Sequence, residues 1–341
     1  MLADLTIYMP SNRTLEDSRE AIESLLAFSQ ATGCRMVISD NSQDPRKQAA
    51  YNGRSANLVY ITRDDTDPQE NAVSAMSKVA TSFVMPMGDD DTIRVLDSAF
   101  PIDLSRLPAD VVLVRPQTEI WVEKNGIVRT EDFSIELDDP ADRMAEYARR
   151  TRGNNSVFYS ICRSDYYIGL LRQFYARHPT KGGYCDWSIT TALIASGKVV
   201  YDPAIVYRYN LGRWSNSDTL EIAKESLFAQ VGLPPAVQDF YPLLRFIDTY
   251  IMLMSRHLPL SELQRDKALS INSTMGLAVF VNAVKGKPER YDETVHHLVD
   301  LIVDETELNT VFIIALMLAD SIQPGLKDRY IAYYQTVTGA L

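Results

Sequence analysis

Three cysteines, four histidines and no surplus of positive charge set the first limits on this 341-residue chain. Cys34, Cys162 and Cys185 give neither an even disulfide framework nor a metal-ligand spacing, so reduced thiols in a cytoplasmic protein are expected. Asp plus Glu number 45 against 34 Lys plus Arg, a net charge of −11. That balance argues against a general nucleic-acid binder, which needs a basic face. It leaves room for a small phosphorylated ligand held locally by a metal or by backbone amides. Long apolar runs are missing as well. The uncharged window Ala268 to Val284 has 17 residues but is interrupted by Asn272, Ser273, Thr274 and Asn282, and the apolar stretch Val311 to Ala319 has only nine. Both read as buried helices rather than membrane spans. Met1 to Pro10 has no basic n-region and no cleavage pattern, so no secretory leader is expected.

Several catalytic fingerprints are absent. There is no G-x-x-x-x-G-K-[ST], no G-x-G-x-x-G and no G-x-S-x-G, which removes the P-loop, dinucleotide-binding and nucleophile-elbow readings. Of the histidines, His178 and His257 stand alone. His296 and His297 are adjacent, about 100° apart on a helix, and so make a poor zinc pair.

What is present is a soluble globular composition, 46% hydrophobic and 23% charged, long enough for two domains at about 150 residues each. The early chain alternates. Strand-like runs at Leu5 to Met9, Arg35 to Ser39, Asn57 to Thr62 and Phe83 to Met87 flank helical patterns at Thr14 to Thr32 and Pro68 to Ala80. Asp44 to Gly53 reads as a polar loop. Such alternation predicts a parallel sheet with right-handed crossovers. Further strands are expected at Val111 to Arg115, in a hairpin from Glu119 to Arg129 around Asn125-Gly126, and at Ser156 to Cys162, Lys198 to Tyr201 and Ile205 to Tyr209. Glu131 to Asp142 carries six acids and no base, and reads as a solvated loop. A helix is expected at Trp187 to Ser196. From about Ser215 helical periodicity takes over: Asp218 to Gln230, Val237 to His257, Ser261 to Val284, Glu289 to Val303, Thr306 to Ser321 and Gly325 to Val337. The expected organisation is an α/β domain over 1–214, in halves 1–100 and 101–214, followed by a helical region over 215–341.

The sharpest chemical feature is Gly88-Asp89-Asp90-Asp91 at the end of the fourth strand. On an extended chain Asp89 and Asp91 share one side and Asp90 takes the other. Two carboxylates there would suit Mg²⁺ or Mn²⁺, and ligands of open α/β sheets gather at the carboxyl ends of strands. Ser39-Asp40-Asn41-Ser42 ends the second strand, and Pro10-Ser11-Asn12-Arg13 ends the first.

These three stretches, in this order, resemble the GT-A glycosyltransferases of family 2. The resemblance is clear over about residues 3–100 and loose over 150–214. It implies a mixed GT-A sheet and a metal-dependent, inverting transfer of one sugar from a nucleotide-diphosphate sugar, a UDP-sugar above others. The acceptor would be a saccharide or lipid-linked hydroxyl. Pro10, Asn12, Arg13, Asp40, Asp89 and Asp90 would line the nucleotide-sugar, with Asp40 at the base. Asp89 and Asp91 would hold Mn²⁺ or Mg²⁺, Asp91 above all. Asp186, opening a helix in Gly182-Gly183-Tyr184-Cys185-Asp186-Trp187, matches the acid that serves as base, with Tyr184 and Trp187 on the acceptor side. The first acid of the usual pair is replaced there by Cys185. Arg208 or Arg213, in the stretch Tyr207 to Trp214, would reach the diphosphate, and Arg152-Gly153-Asn154-Asn155 would line the acceptor. Two departures stand out. The segment Asn71 to Lys78 lacks the Arg of the family's Ala-Arg-Asn stretch. Arg213-Trp214 is present, but Asn210 replaces the first residue of the Gln/Arg-x-x-Arg-Trp motif of processive members, which favours single-sugar transfer. Phosphoryl or nucleotidyl transfer on a related sheet, and a non-catalytic nucleotide-sugar-binding scaffold, stay open as alternatives. So do a homo-oligomer through the helical region and a peripheral membrane contact.

Overall fold

Runs too apolar to face water on either side become the parallel heart of the sheet. Leu5–Ser11 forms β1 and pairs in parallel with Arg35–Asp40 (β2) and Phe83–Pro86 (β4), while Leu58–Thr62 (β3) extends β2. The protein is described by a computed structural model covering residues 2–97, 99–151, 153–180, 185–212, 222, 225 and 228–339. Three helices make the crossovers: α1 (Leu15–Thr32), α2 (Pro45–Tyr51) and α3 (Pro68–Met76). α1 begins where the Thr14 hydroxyl accepts from the Asp17 amide. It ends at Gly33, whose φ of 76° is open to glycine and whose amide donates to the Ser29 carbonyl at 2.8 Å. Leu15, Ile22, Leu25 and Phe28 form its buried stripe. α2 corrects the expected loop at Asp44 to Gly53. Asp44 caps it and Pro45 opens it, and seven residues are too few for periodicity to register.

After residue 90 the sheet becomes mixed. Thr92–Val95 (β5), Val111–Val122 (β6), Gly126–Glu131 (β7), Ile161–Arg163 (β8) and Lys198–Asn210 (β9) complete the order β3-β2-β1-β4-β8-β6-β9-β5, with β7 on β6. β8 runs antiparallel to β4 and β6, β6 parallel to β9, and β5 antiparallel to β9. The segments expected separately at Val111 and Glu119 are one strand, as are those at Lys198 and Ile205. Their pairing jumps from Pro116↔Asp202 to Gln117↔Val206, beside prolines that cannot donate to the ladder. Ser156–Tyr159 is a tight helical turn that precedes the short β8, not part of a strand. Nor is Glu131 solvated. It is 4% exposed in β7, ion-paired with the fully buried Arg115 and accepting from Ser156 Oγ at 2.8 Å.

The chain divides into two units that cross its linear order. The first is Met1–Glu136, Ser156–Gly169 and Gly197–Ser215, and holds the nine strands found among the described residues. The second is Leu137–Asn155, Leu170–Ser196 and Asn216–Leu341. The expected division placed all of 101–214 in the first domain, whereas Leu137–Asn155 and Leu170–Ser196 group with the later helices. The reason is visible in α4 (Pro140–Thr151). Its Arg143 is buried and donates to the carbonyls of Ile194 and Ala195, at the end of α6 (Cys185–Ser196). Between them α5 (Ser164–Arg177) begins in one unit and ends in the other.

The second unit continues with α7 (Tyr241–Leu253), α8 (Glu262–Asn272), α9 (Ala278–Gly286), α10 (Glu293–Val303), α11 (Leu308–Asp320) and α12 (Leu326–Thr338). The helix expected from Ser261 to Val284 is interrupted by one wider turn at Ser273–Leu277. Those expected at Val237 and Glu289 open with tight turns, Pro235–Phe240 and Pro288–Arg290. The one expected from Asp218 to Gln230 lies mostly outside the described residues. Tyr250 stacks on Phe312 with ring centres 4.1 Å apart, and His178 Nε2 lies 2.8 Å from Asp248 Oδ1, all buried. Among the described residues no helix is long and apolar enough to cross a membrane.

Candidate functional site

Parallel pairing sets Ser11 beside Asp40 and Pro10 beside Ser39, so the motifs ending β1 and β2 meet at one edge. β4 delivers the Asp triplet to the same edge. A continuous chain of hydrogen bonds ties the three ends together. Asp40, 3% exposed, accepts from Tyr60 OH at 2.5 Å, from the Ser42 amide at 3.1 Å and from Lys47 Nζ at 3.1 Å. Lys47 is fully buried and also donates to Ser11 Oγ at 2.5 Å and to the Arg13 carbonyl at 3.0 Å. Ser11 Oγ in turn donates to Asp89 Oδ2 at 2.7 Å.

Asp89 therefore works on the loop after β1. Its Oδ2 also accepts the amides of Asn12 and Arg13, and its Oδ1 accepts Arg13 Nε, all at 3.1 Å. Arg13 Nη2 reaches on to Asp90 at 2.6 Å. Asp91 faces elsewhere. Its Oδ1 accepts the Asn210 amide at 2.7 Å and its Oδ2 the Tyr207 hydroxyl at 2.5 Å, both from β9. The expected pairing of Asp89 with Asp91 is thus replaced by Asp89 with Asp90. The cause is local: Asp89 and Asp90 lie in a turn, where the alternation of an extended strand does not apply.

Asp91 is the electrostatic anomaly of the site. It is 2% exposed and no Lys or Arg pairs with it among the described residues. Burial, and then the neighbouring charge of Asp90, push its carboxyl up to about 7 against the bonds from Tyr207, Asn210 and the Gly88 turn. Gly88 makes room for it, since a Cβ there would lie 2.6 Å from Asp91 Oδ2. A buried acid in a glycine cradle without a cationic partner has the charge balance that a divalent cation would restore. Each of its oxygens keeps a lone pair, so Asp91 fits Mg²⁺ or Mn²⁺, which take one or two carboxylates and complete their shell with phosphates and water. Asp89 Oδ2 is filled by three donors, whereas its Oδ1 accepts only Arg13 Nε and keeps one lone pair for a cation. No group of three or more His, Cys, Asp or Glu capable of caging a metal occurs among the described residues.

Asn71 completes this edge. Its Nδ2 donates to the Ser11 carbonyl at 3.2 Å and to Asn41 Oδ1 at 3.1 Å, while its buried Oδ1 has no partner among the described residues. Arg208 is held by Glu119, which also binds Arg94. Arg94, ahead of Arg208, draws the Glu119 carboxyl below its usual range.

The acceptor-side expectations fall in the second unit. Asp186, in the first turn of α6, accepts from Asn155 Nδ2 at 3.0 Å, and Asn155 Oδ1 accepts the Tyr147 hydroxyl at 2.5 Å. Burial pushes the Asp186 carboxyl up, opposed first by the Asn155 amide. The Arg245 guanidinium lies 4.1 Å over the Trp187 ring. Arg213, Tyr184 and Arg152 lie outside the described residues. Lys47, Tyr60, Tyr207 and Asn155 complete the two clusters. Only Asn155 and Tyr207 stood in stretches the sequence marked, and a lone Lys in a polar stretch carries no signal.

No family model matches this chain, and none of the curated proteins does. Solved structures do match. S. aureus TarS 1-349 in complex with UDP aligns over 98% of this chain and 90% of its own, with 14% identity and a TM-score of 0.51. The same TarS fragment in complex with UDP-GlcNAc aligns over the same shares with 13% identity and a TM-score of 0.49. At such identity the likeness to the UDP complex is one of fold. It bears out the fold class read from the sequence, a GT-A type mixed sheet followed by helices.

Proposed function

We propose that this protein is a glycosyltransferase that moves one sugar from a UDP-sugar to an acceptor hydroxyl, with inversion. The observation that carries the reading is the joining of the β1, β2 and β4 ends into one acidic network beside the uncompensated Asp91. The fold it shares with a protein that binds UDP supports the choice of nucleotide. Asp91 would hold Mn²⁺ or Mg²⁺, which would neutralise the charge left on the departing diphosphate. Asp89 and Lys47 act by fixing the Ser11–Arg13 loop, whose backbone lines the nucleotide. Asp40, its oxygens already taken by Lys47, Ser42 and Tyr60, forms the floor of that place rather than a direct contact with the base. Asn71 Oδ1 is the free acceptor there. Asp186 takes the proton from the acceptor hydroxyl as the new bond to the anomeric carbon forms and the bond to the diphosphate breaks.

Incubation with a panel of UDP-, GDP- and TDP-sugars plus Mn²⁺ tests the reading. UDP release from at least one UDP-sugar is expected, with a rise in melting temperature on adding UDP and Mn²⁺ together. Neither response from any nucleotide-sugar would rule the reading out. The base has its own test. Asp186→Asn is expected to lower kcat about 10²- to 10⁴-fold while leaving UDP affinity within about twofold. The base works ionised, and burial raises its pKa. In the wild type the acid limb of the pH–rate profile should therefore lie above the usual aspartate range, and it should vanish in the variant. A limb unchanged in Asp186→Asn would assign it to another group.

A further inference from the structure

The second unit contains a cavity that Asp186 does not line but that borders the Asp186 cluster through Tyr147 and Arg245. It measures about 380 Å³, well above the roughly 150 Å³ that accommodates benzene in an engineered apolar cavity. Its wall is mainly apolar, with Met144 from α4, Phe246 from α7, and Ile271 and Met275 from the α8–α9 run. That run carries the wider helical turn at Ser273–Leu277, a feature common where helices line functional sites.

Among the polar groups of the lining, Thr249, Asn272 and Arg245 matter most, while the Thr191 and Tyr147 hydroxyls are spent on the Trp187 carbonyl and on Asn155. Thr249 is 2% exposed, and its hydroxyl has no hydrogen-bond partner among the described residues. Asn272 is anchored by its Nδ2, which donates to the Phe246 carbonyl at 3.1 Å. Arg245, half-buried, lies flat over Trp187 and its charge opposes the rise of the Asp186 carboxyl, but it has neither an ion pair nor a hydrogen bond among the described residues. The half-buried Arg245 guanidinium and the Thr249 hydroxyl carry no hydrogen bond among the described residues, so a ligand in this apolar cavity can engage both without displacing a protein partner. An apolar cavity of this size with a few convergent polar groups is the usual form of a small-molecule site.

We propose that this cavity binds a small amphipathic anion. An aliphatic tail fills the apolar part, and a single carboxylate or phosphate accepts from Arg245 and Thr249. The guanidinium suits either headgroup, because its planar fork matches both.

The test uses the full chain, without nucleotide or metal, titrated calorimetrically with octanoate, octyl phosphate and octanol. At least one of the two anions is expected to bind saturably at one site per chain, more tightly than octanol, and the preferred anion identifies the headgroup. Arg245→Met is expected to weaken the anion about tenfold or more and leave octanol unchanged, with Arg245→Lys recovering part of the loss. Ala148→Trp, placed at an exposed position on the cavity's rim, is expected to exclude all three without disturbing the fold. No saturable binding of either anion would overturn the proposal. So would binding indifferent to both Arg245→Met and Ala148→Trp. Because the readout involves no UDP-sugar, its failure is separate from failure of the transfer reading.

Discussion

Asp91→Asn is expected to reduce Mn²⁺-dependent UDP release about 10²- to 10³-fold, equivalent to roughly 3–4 kcal/mol of lost leaving-group stabilisation. The substitution is nearly isosteric. The Asn oxygen can still accept the Asn210 amide, and the Tyr207 hydroxyl can pair with the new amide group, so the packing around Gly88 persists. What disappears is the charge. In the nucleotide-free protein that charge is buried without a cationic partner, and removing it should leave the melting temperature unchanged or slightly higher. Loss of turnover with stability retained is therefore the signature of a ligand-holding acid. The stabilisation that UDP and Mn²⁺ give together should vanish in the same variant, since the cation can no longer bridge protein and diphosphate. Full turnover in excess chelator, or a fully active Asp91→Asn, would remove the metal from the account.

Asp91 also marks how far pattern reading reaches. The strand–helix alternation of the first ninety residues was legible because each element carries its own signal: apolar runs for β1, β2, β3 and β4, and a capped, striped helix for α1. The placing of three motifs at the ends of β1, β2 and β4 followed from that alternation. Which acid faces which partner did not. Alternation along a strand is a rule for extended chain, and Gly88 to Asp91 turns. The partners of these acids are distant in sequence: Ser11 lies 78 positions from Asp89, and Tyr207 lies 116 from Asp91. No local pattern specifies such pairings. The same limit hid the grouping of α4 and α6 with the later helices, because Arg143 finds its carbonyls 51 and 52 positions away. It also made Glu131 look like one acid of a solvated run, when its partner Arg115 sits across the β6–β7 pair. Short elements failed for another reason. α2 has seven residues, fewer than two full turns, and reveals itself only through Asp44 and Pro45 at its start.

The largest stability effect is expected from Lys47→Met. Lys47 is fully buried, and its three bonds hold Asp40, Ser11 and the Arg13 carbonyl at once. Met fills the same volume but donates nothing. Asp40, 3% exposed, would keep Tyr60 and the Ser42 amide yet lose its only cationic partner among the described residues. Leaving one partner of a buried ion pair uncompensated costs about 3–5 kcal/mol. In a unit of this size that is a fall in melting temperature on the order of 10 °C. UDP affinity should drop as well, because Ser11 and Arg13 lose the tether that shapes their loop. The double variant Asp40→Asn with Lys47→Met separates charge from packing. With both charges gone, much of the lost stability should return, giving a coupling energy of about 1–3 kcal/mol. If UDP affinity nevertheless stays low in the double variant, the tether and not the net charge organises the loop. A single Lys47→Met as stable as the wild type would mean that the bonds joining β1, β2 and β4 do not form in solution, and the nucleotide place built on them would have no frame.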